Sequence, residues 1–142
     1  MKISIACDHG GLELKNQLAE YIKSLGHEVV DYGTDSHDSC DYPDFAKPAA
    51  MAVSNGECER GVVVCTTGIG VSMVANKVNG VRCALCMNAD MAKMTRLHNN
   101  ANMIALGQKY VDVATAKQII DNFLNTEFEG GRHAIRVSKI EE

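Results

Sequence analysis

Val62-Val63-Val64-Cys65-Thr66-Thr67-Gly68-Ile69-Gly70-Val71-Ser72 decides the architecture. A short, unbroken apolar run, Val62–Cys65, gives way to a glycine turn and then to helix-forming sequence. A strand with no polar side is buried on both faces, the mark of a parallel sheet covered by helices. The same unit recurs outward from it. Ile3–Cys7 reads as a first strand and Gly11–Leu25 as a helix with Leu14, Leu18, Tyr21, Ile22 and Leu25 on one face, closed by Gly26. Val29–Tyr32 is a second strand, and the polar Gly33–Pro43 a long loop. Asp44–Asn55 reads as a helix with Pro48 near its first turn. Gly70–Val78 is the helix behind the glycine turn, Val81–Cys86 a strand, Asp90–Leu97 a helix and Met103–Leu106 a strand. Val111–Leu124 is a helix whose apolar side is Ala114, Ile119, Ile120, Phe123 and Leu124, and Arg132–Ile140 is a last short helix. This alternation predicts the α/β class: a Rossmann-like three-layer sandwich, with a five-stranded parallel sheet and helices on both faces. Residues 1–142 are expected to form a single domain.

Composition narrows the function classes. The chain has 142 residues, 46% hydrophobic and 23% charged, with a net charge of −4. That is ordinary for a globular protein and unlike a disordered one. No apolar run approaches the ~18 residues of a membrane span, and Met1–Gly11 is too short an apolar stretch for a signal peptide. No basic field invites nucleic acid. The expected compartment is the cytoplasm, with neither membrane nor nucleic acid as partner.

The six cysteines fit reduced, mostly buried thiols better than a disulfide framework. Cys83 and Cys86 form a C-x2-C pair, but an offset of three on a strand sends the thiols to opposite faces. No second pair follows at zinc spacing, so no metal is expected.

Ligands of open parallel sheets bind beyond the carboxyl ends of the strands. There the chain places Asp8-His9, Cys65–Gly70, Met87-Asn88 and Gly107-Gln108-Lys109. In the glycine turn, backbone N–H groups point at an anion, and a thiol beside a helix N-terminus is favoured as thiolate. A dinucleotide fingerprint needs a third glycine where Met73 stands. A cysteine-phosphatase loop needs arginine where Val71 stands. A phosphocysteine carrier normally holds its cysteine after the first strand, where Cys7 is followed by Asp8 and His9. A fourth reading makes Cys65 a proton base beside a backbone oxyanion hole.

Arg132 and Arg136, at i and i+4, share a helix face suited to phosphate. His133 between them points elsewhere and reads as structural or surface. His98-Asn99-Asn100 closes a helix that runs back from the strand tips, so at ~1.5 Å per residue His98 lies roughly 12–15 Å from them. A catalytic His98 would therefore serve a partner subunit, with a site shared across a two-fold axis.

Taken together, the segments resemble the ribose-5-phosphate isomerase B branch of the sugar-phosphate isomerase family, which also holds the galactose-6-phosphate isomerase subunits. Cys7–Gly11 with Glu13-Leu14-Lys15, Asp41–Asp44, Cys65–Gly70 and Ala75-Asn76-Lys77 carry the likeness. So do His98–Asn102, Ala105-Leu106-Gly107 and Phe123–His133. The resemblance implies cofactor-free and metal-free interconversion of ribose 5-phosphate and ribulose 5-phosphate, in a homodimer or higher oligomer with a shared active site. It implies Cys65 as the base between C2 and C1, His98 in ring opening and Thr67 in proton movement at the sugar oxygens. Thr66, Gly68, Ile69 and Gly70 would hold the enediolate through backbone N–H groups. Asp8 and Asn99 would bind the sugar, and His9, Arg132 and Arg136 the phosphate. Tyr42 and Ser72 would line the pocket. Thr66 replaces the family's usual glycine, Met87-Asn88 a more polar pair, and Lys109 a frequent arginine that would reach phosphate or sugar. These departures bear on substrate preference, and allose 6-phosphate and galactose 6-phosphate stay open beside the pentose. A sugar-phosphate binding or phosphocarrier module is the non-enzymatic alternative.

Overall fold

The computed structural model describes every residue, Met1–Glu142. Five strands, β1 (Lys2–Cys7), β2 (Glu28–Asp31), β3 (Arg60–Cys65), β4 (Cys83–Leu85) and β5 (Met103–Gly107), form one sheet in the order β2-β1-β3-β5-β4. All neighbours pair in parallel. The helices are α1 (Leu12–Ser24), α2 (Pro43–Ser54), α3 (Ile69–Asn76), α4 (Ala89–Asn99), α5 (Val113–Asn125) and α6 (Arg132–Ile140). None is long and apolar enough to cross a membrane.

Alternation along the strands sorts the core into two layers. Ile3, Ile5, Val62, Val64, Ile104 and Leu106 pack with buried residues of α1, α4 and α5. Ala6, Val63, Cys65, Met103 and Ala105 face α2 and α3. The second layer is built from small side chains, among them Ala46, Ala49, Ala50 and Ala75. This lets α2 approach until Ser4 Oγ donates to the Ala49 carbonyl at 2.9 Å. Cys83 belongs with the α2/α3 layer and Cys86 with the other, as the strand offset predicted. Burial pushes both Cys7 and Cys86 up to about 12, so they remain thiols at neutral pH.

Three local expectations are corrected. β4 is only Cys83–Leu85, because side chains take over the backbone around it. Asn76 brackets Cys83, accepting from its N–H and donating to its carbonyl, while Asn102 accepts from Arg82 N–H. An edge satisfied this way offers little to a further strand. Pro48 lies inside α2, not in its first turn, which Pro43 occupies. Pro48 is exposed, so the amide it lacks falls on the solvent side. Ala114 is exposed, and Ala116 takes its place on the buried side of α5.

The chain leaves β1 toward β2, then crosses back to β3, so the topological switch lies between β1 and β3. That crevice is where such sheets bind ligands. Register aligns the tips: Cys7 pairs with Val64, and Cys65 with Gly107. Gln108 and Lys109 N–H groups extend the pairing to the carbonyls of Cys65 and Thr66, both at 3.0 Å.

Candidate active site

Cys65 ends β3 with 6% of its surface exposed. The chain then turns through Gly68, whose φ of 78° is open to glycine at low cost. A side chain there would also strike Leu85 and the backbone of Leu106. This turn folds the Gly68 N–H back onto Cys65 Sγ at 3.1 Å. Thr67 Oγ1 accepts from Ile69 N–H at 3.3 Å, at the mouth of α3. Sulfur, hydroxyl and the helix N-terminus thus lie within four residues, an arrangement suited to developing negative charge.

Asp8 and His9 stand beside this turn. Asp8 is buried and its Oδ1 accepts from Gly10 N–H at 2.9 Å, which leaves Oδ2 as the freer acceptor. His9 Nδ1 accepts from Cys40 N–H at 3.2 Å. That bond places the proton of a neutral imidazole on Nε2, a donor suited to an anion. It also ties the Gly33–Pro43 loop to the site. Thr66 is accommodated because residue 10 is glycine: a Cβ there would fall 2.0 Å from Thr66 Oγ1. Tyr42 lies over Gly70, where a Cβ would meet its ring at 2.7 Å. Asp8, His9, Tyr42 and the turn Cys65–Gly70 are therefore assembled at one end of the sheet.

Two further candidates at this end have local partners. Ser72 Oγ is engaged with the Ile69 carbonyl at 2.7 Å. Lys109 places its ammonium 5.9 Å from the centre of the Tyr110 ring.

His98, Asn99, Arg132 and Arg136 are elsewhere. α4 starts beyond the carboxyl end of β4 and spans about 16 Å at ~1.5 Å per residue. Its far end reaches the amino end of the sheet, where the Arg82 guanidinium, next to the start of β4, donates to the carbonyls of Asn99 and Asn100. Asn100 ends the helix with φ of 48°. Buried Arg96 locks this corner, donating to Thr126 and Ala101 carbonyls and to Asn100 Oδ1. The Glu129 N–H bonds to the Leu97 carbonyl, seating α6 beside the end of α4. Arg132 and Arg136 are exposed.

Sequence reasoning missed part of this corner. His133 is buried and its ring stacks on His98, with centroids 4.3 Å apart, so a surface role is excluded. Burial first, then His98, pushes His133 below the usual histidine range. Glu129 lies against both rings. The i, i+4 spacing of Glu129 and His133 was visible in the sequence, but their meeting with His98 was not. Gln108 was also missed as an anchor: its side chain accepts from Leu14 N–H and donates to Glu13.

A cavity of about 650 Å³ lies at the amino end of the sheet beside Arg82, Asn99, Ile140 and Glu141, not over Cys65.

Comparisons with known proteins bear on the family and the fold. Residues 3–140 match the family model described as Ribose/Galactose Isomerase. A solved structure of ribose-5-phosphate isomerase B from Clostridium thermocellum superposes with a TM-score of 0.98 at 52% identity, covering 99% of this chain and 95% of that one. The ribose-5-phosphate isomerase B of Escherichia coli is 41% identical over 98% of this chain and 93% of its own length. A D-erythrulose-4-phosphate isomerase from Pectobacterium atrosepticum is 42% identical over 99% and 93%.

Proposed function

The chain belongs to the ribose/galactose isomerase family, and we propose that it interconverts ribose 5-phosphate and ribulose 5-phosphate through an enediolate. The observation that carries the reading is Cys65 Sγ under the Gly68 N–H, at the switch point beside Asp8 and His9. Moving a proton between C2 and C1 needs a base and a group that receives charge on the adjacent oxygen. Cys65 is the base. The N–H groups of the turn Thr66–Gly70 receive the enediolate oxygen. Thr67 moves protons at the sugar oxygens, and Asp8 Oδ2 accepts from sugar hydroxyls. Tyr42 walls the pocket over Gly70.

The phosphate binds His9 Nε2 together with Arg132 and Arg136, and His98 opens the furanose ring with Asn99 holding the sugar. These four residues lie at the far end of α4 and on α6, so they come from a second copy related by a two-fold axis. Two further features support the second copy. The cavity of about 650 Å³ lies beside Asn99, at the end of the sheet that would meet the second copy's Cys65. Ile69 and Met73 on α3, and Met91 and Met94 on α4, are exposed apolar groups of the kind that interfaces cover.

Assaying the purified chain with ribose 5-phosphate, allose 6-phosphate and galactose 6-phosphate tests the substrate. The largest kcat/KM is expected for ribose 5-phosphate. A higher value for either hexose phosphate would reassign the substrate. Phosphorylation of Cys65 by a phosphotransferase without isomerisation would replace the enzyme reading.

A further inference from the structure

The corner that holds His98 is more specific than its proposed role alone requires. The His98 and His133 rings lie nearly parallel, 12° between planes. Glu129 reaches the same edge of both, with its oxygens 4.0 Å from His98 Nε2 and 3.9 Å from His133 Nε2. The His133 side chain is 9% exposed, and its Nε2 has no hydrogen-bond partner. A buried unpaired nitrogen is costly, and phenylalanine would fill the same space without that cost. The carboxylate beside both ring nitrogens points to proton handling at His98, and His133 supplies the flat face stacked on it. A cation is a poorer occupant. The three ligand atoms lie within 4.8 Å of one another, but parallel rings direct their lone pairs side by side, and bonds of ~2.0–2.1 Å need them to converge. Arg132 and Arg136, on the same helix as His133, add positive charge.

We infer that Glu129 and His133 are positioning residues for ring opening: His133 fixes the plane of the His98 imidazole, and Glu129 accepts its Nε2 proton, leaving Nδ1 to face the sugar. The inference rests on the ring-opening role proposed for His98. A shift of about 1 Å brings the carboxylate into hydrogen-bond range of either ring. In the step itself, the C1 hydroxyl gives its proton to Nδ1 as the C1–O4 bond breaks and the C1=O1 bond forms. The electron pair of the broken bond goes to O4, and the imidazolium returns the proton there. Nothing is oxidised or reduced, and the carboxylate stabilises the transient imidazolium.

The two sugar phosphates separate this step from isomerisation. Ribose 5-phosphate is a closed furanose. Ribulose 5-phosphate carries its phosphate on O5, the oxygen that would close a furanose, so it stays open. Two rates are measured for Glu129→Gln, His133→Ala, His133→Phe and His98→Asn: conversion of ribose 5-phosphate, and solvent deuterium incorporation at C1 of ribulose 5-phosphate. For Glu129→Gln and His133→Ala, kcat on ribose 5-phosphate is expected to fall roughly 10- to 100-fold, as for other supporting residues, while deuterium incorporation stays within about threefold. His133→Phe, which keeps a stacked plate, retains more ring-opening activity than His133→Ala. Unchanged conversion, or an equal fall in both rates, overturns the inference. If His98→Asn itself leaves conversion intact, the ring-opening reading fails. If His98→Asn loses conversion while the Glu129 and His133 variants keep it, that reading stands and only the inference falls.

Discussion

The carboxyl end of the sheet and the far end of α4 are built on opposite plans. At Cys65 the chemistry is held by backbone: a buried thiol, a left-handed glycine and N–H groups fixed by the start of α3. At His98 it is held by side chains: stacked imidazoles, a carboxylate and two exposed arginines. Backbone geometry suits a small, fixed charge that develops on one oxygen. Long side chains suit a phosphate, which offers several oxygens to grip. On the function proposed above, the difference would divide the work: the first end would make and break bonds while the second would capture and open the substrate.

The largest effect expected is at the first end. Cys65→Ala should lower kcat on ribose 5-phosphate by about 10²–10⁴, the usual worth of a general base. Steady-state assays check this, and retained activity would remove the thiol from the mechanism. Next comes the link between the ends. Cys65→Ala and His98→Ala subunits, each nearly inactive, should recover about half the normal activity in verified heterodimers, since one of two shared sites is then intact. No recovery would confine each site to one chain.

At the second end, Arg132→Ala and Arg136→Ala should raise KM for ribose 5-phosphate roughly 10-fold each, because charge-assisted phosphate contacts are lost. A fall in kcat alone would move the arginines to the chemical step. A smaller change is expected for Gly70→Ala, where the new methyl meets the Tyr42 ring at 2.7 Å. Overpacking of this kind costs about 1–3 kcal/mol, reduced where an exposed ring swings aside. Tyr42→Ala in the same chain should restore the loss, as thermal unfolding would show.

The smallest effect is on stability at high pH. Cys7 and Cys86 titrate near 12 when folded but from an ordinary value of 9.0 when unfolded. Above about pH 9 the unfolded chain releases protons that the folded chain keeps, so stability should fall as pH rises from there toward 12. Denaturant titrations at pH 8 and pH 10 measure this, and replacing Cys7 by alanine should flatten the slope. An unchanged slope would assign the pH dependence to other groups.

The fold was legible because its signals are local. Val62–Cys65 has no polar side, Leu14, Leu18 and Ile22 recur at helical spacing, and α6 runs over the residues expected of it. Where expectation failed, a distant residue intervened. β4 is shortened by Asn76 and Asn102, which take over the backbone around it. The motif at Cys65–Gly70 was readable for the same local reason, since turn, thiol and helix start are contiguous.

The sequence by itself determined the sheet, its two apolar layers and the glycine turn after Cys65, because alternation, helical period and glycine act over a few residues. Only the tertiary structure decided which side chains share a site. His98 and His133 stand 35 positions apart, and α6 seated on α4 brings their rings to 4.3 Å, with Glu129 beside both. Strand order, which no local pattern encodes, put Asp8 and Cys65 on either side of one crevice.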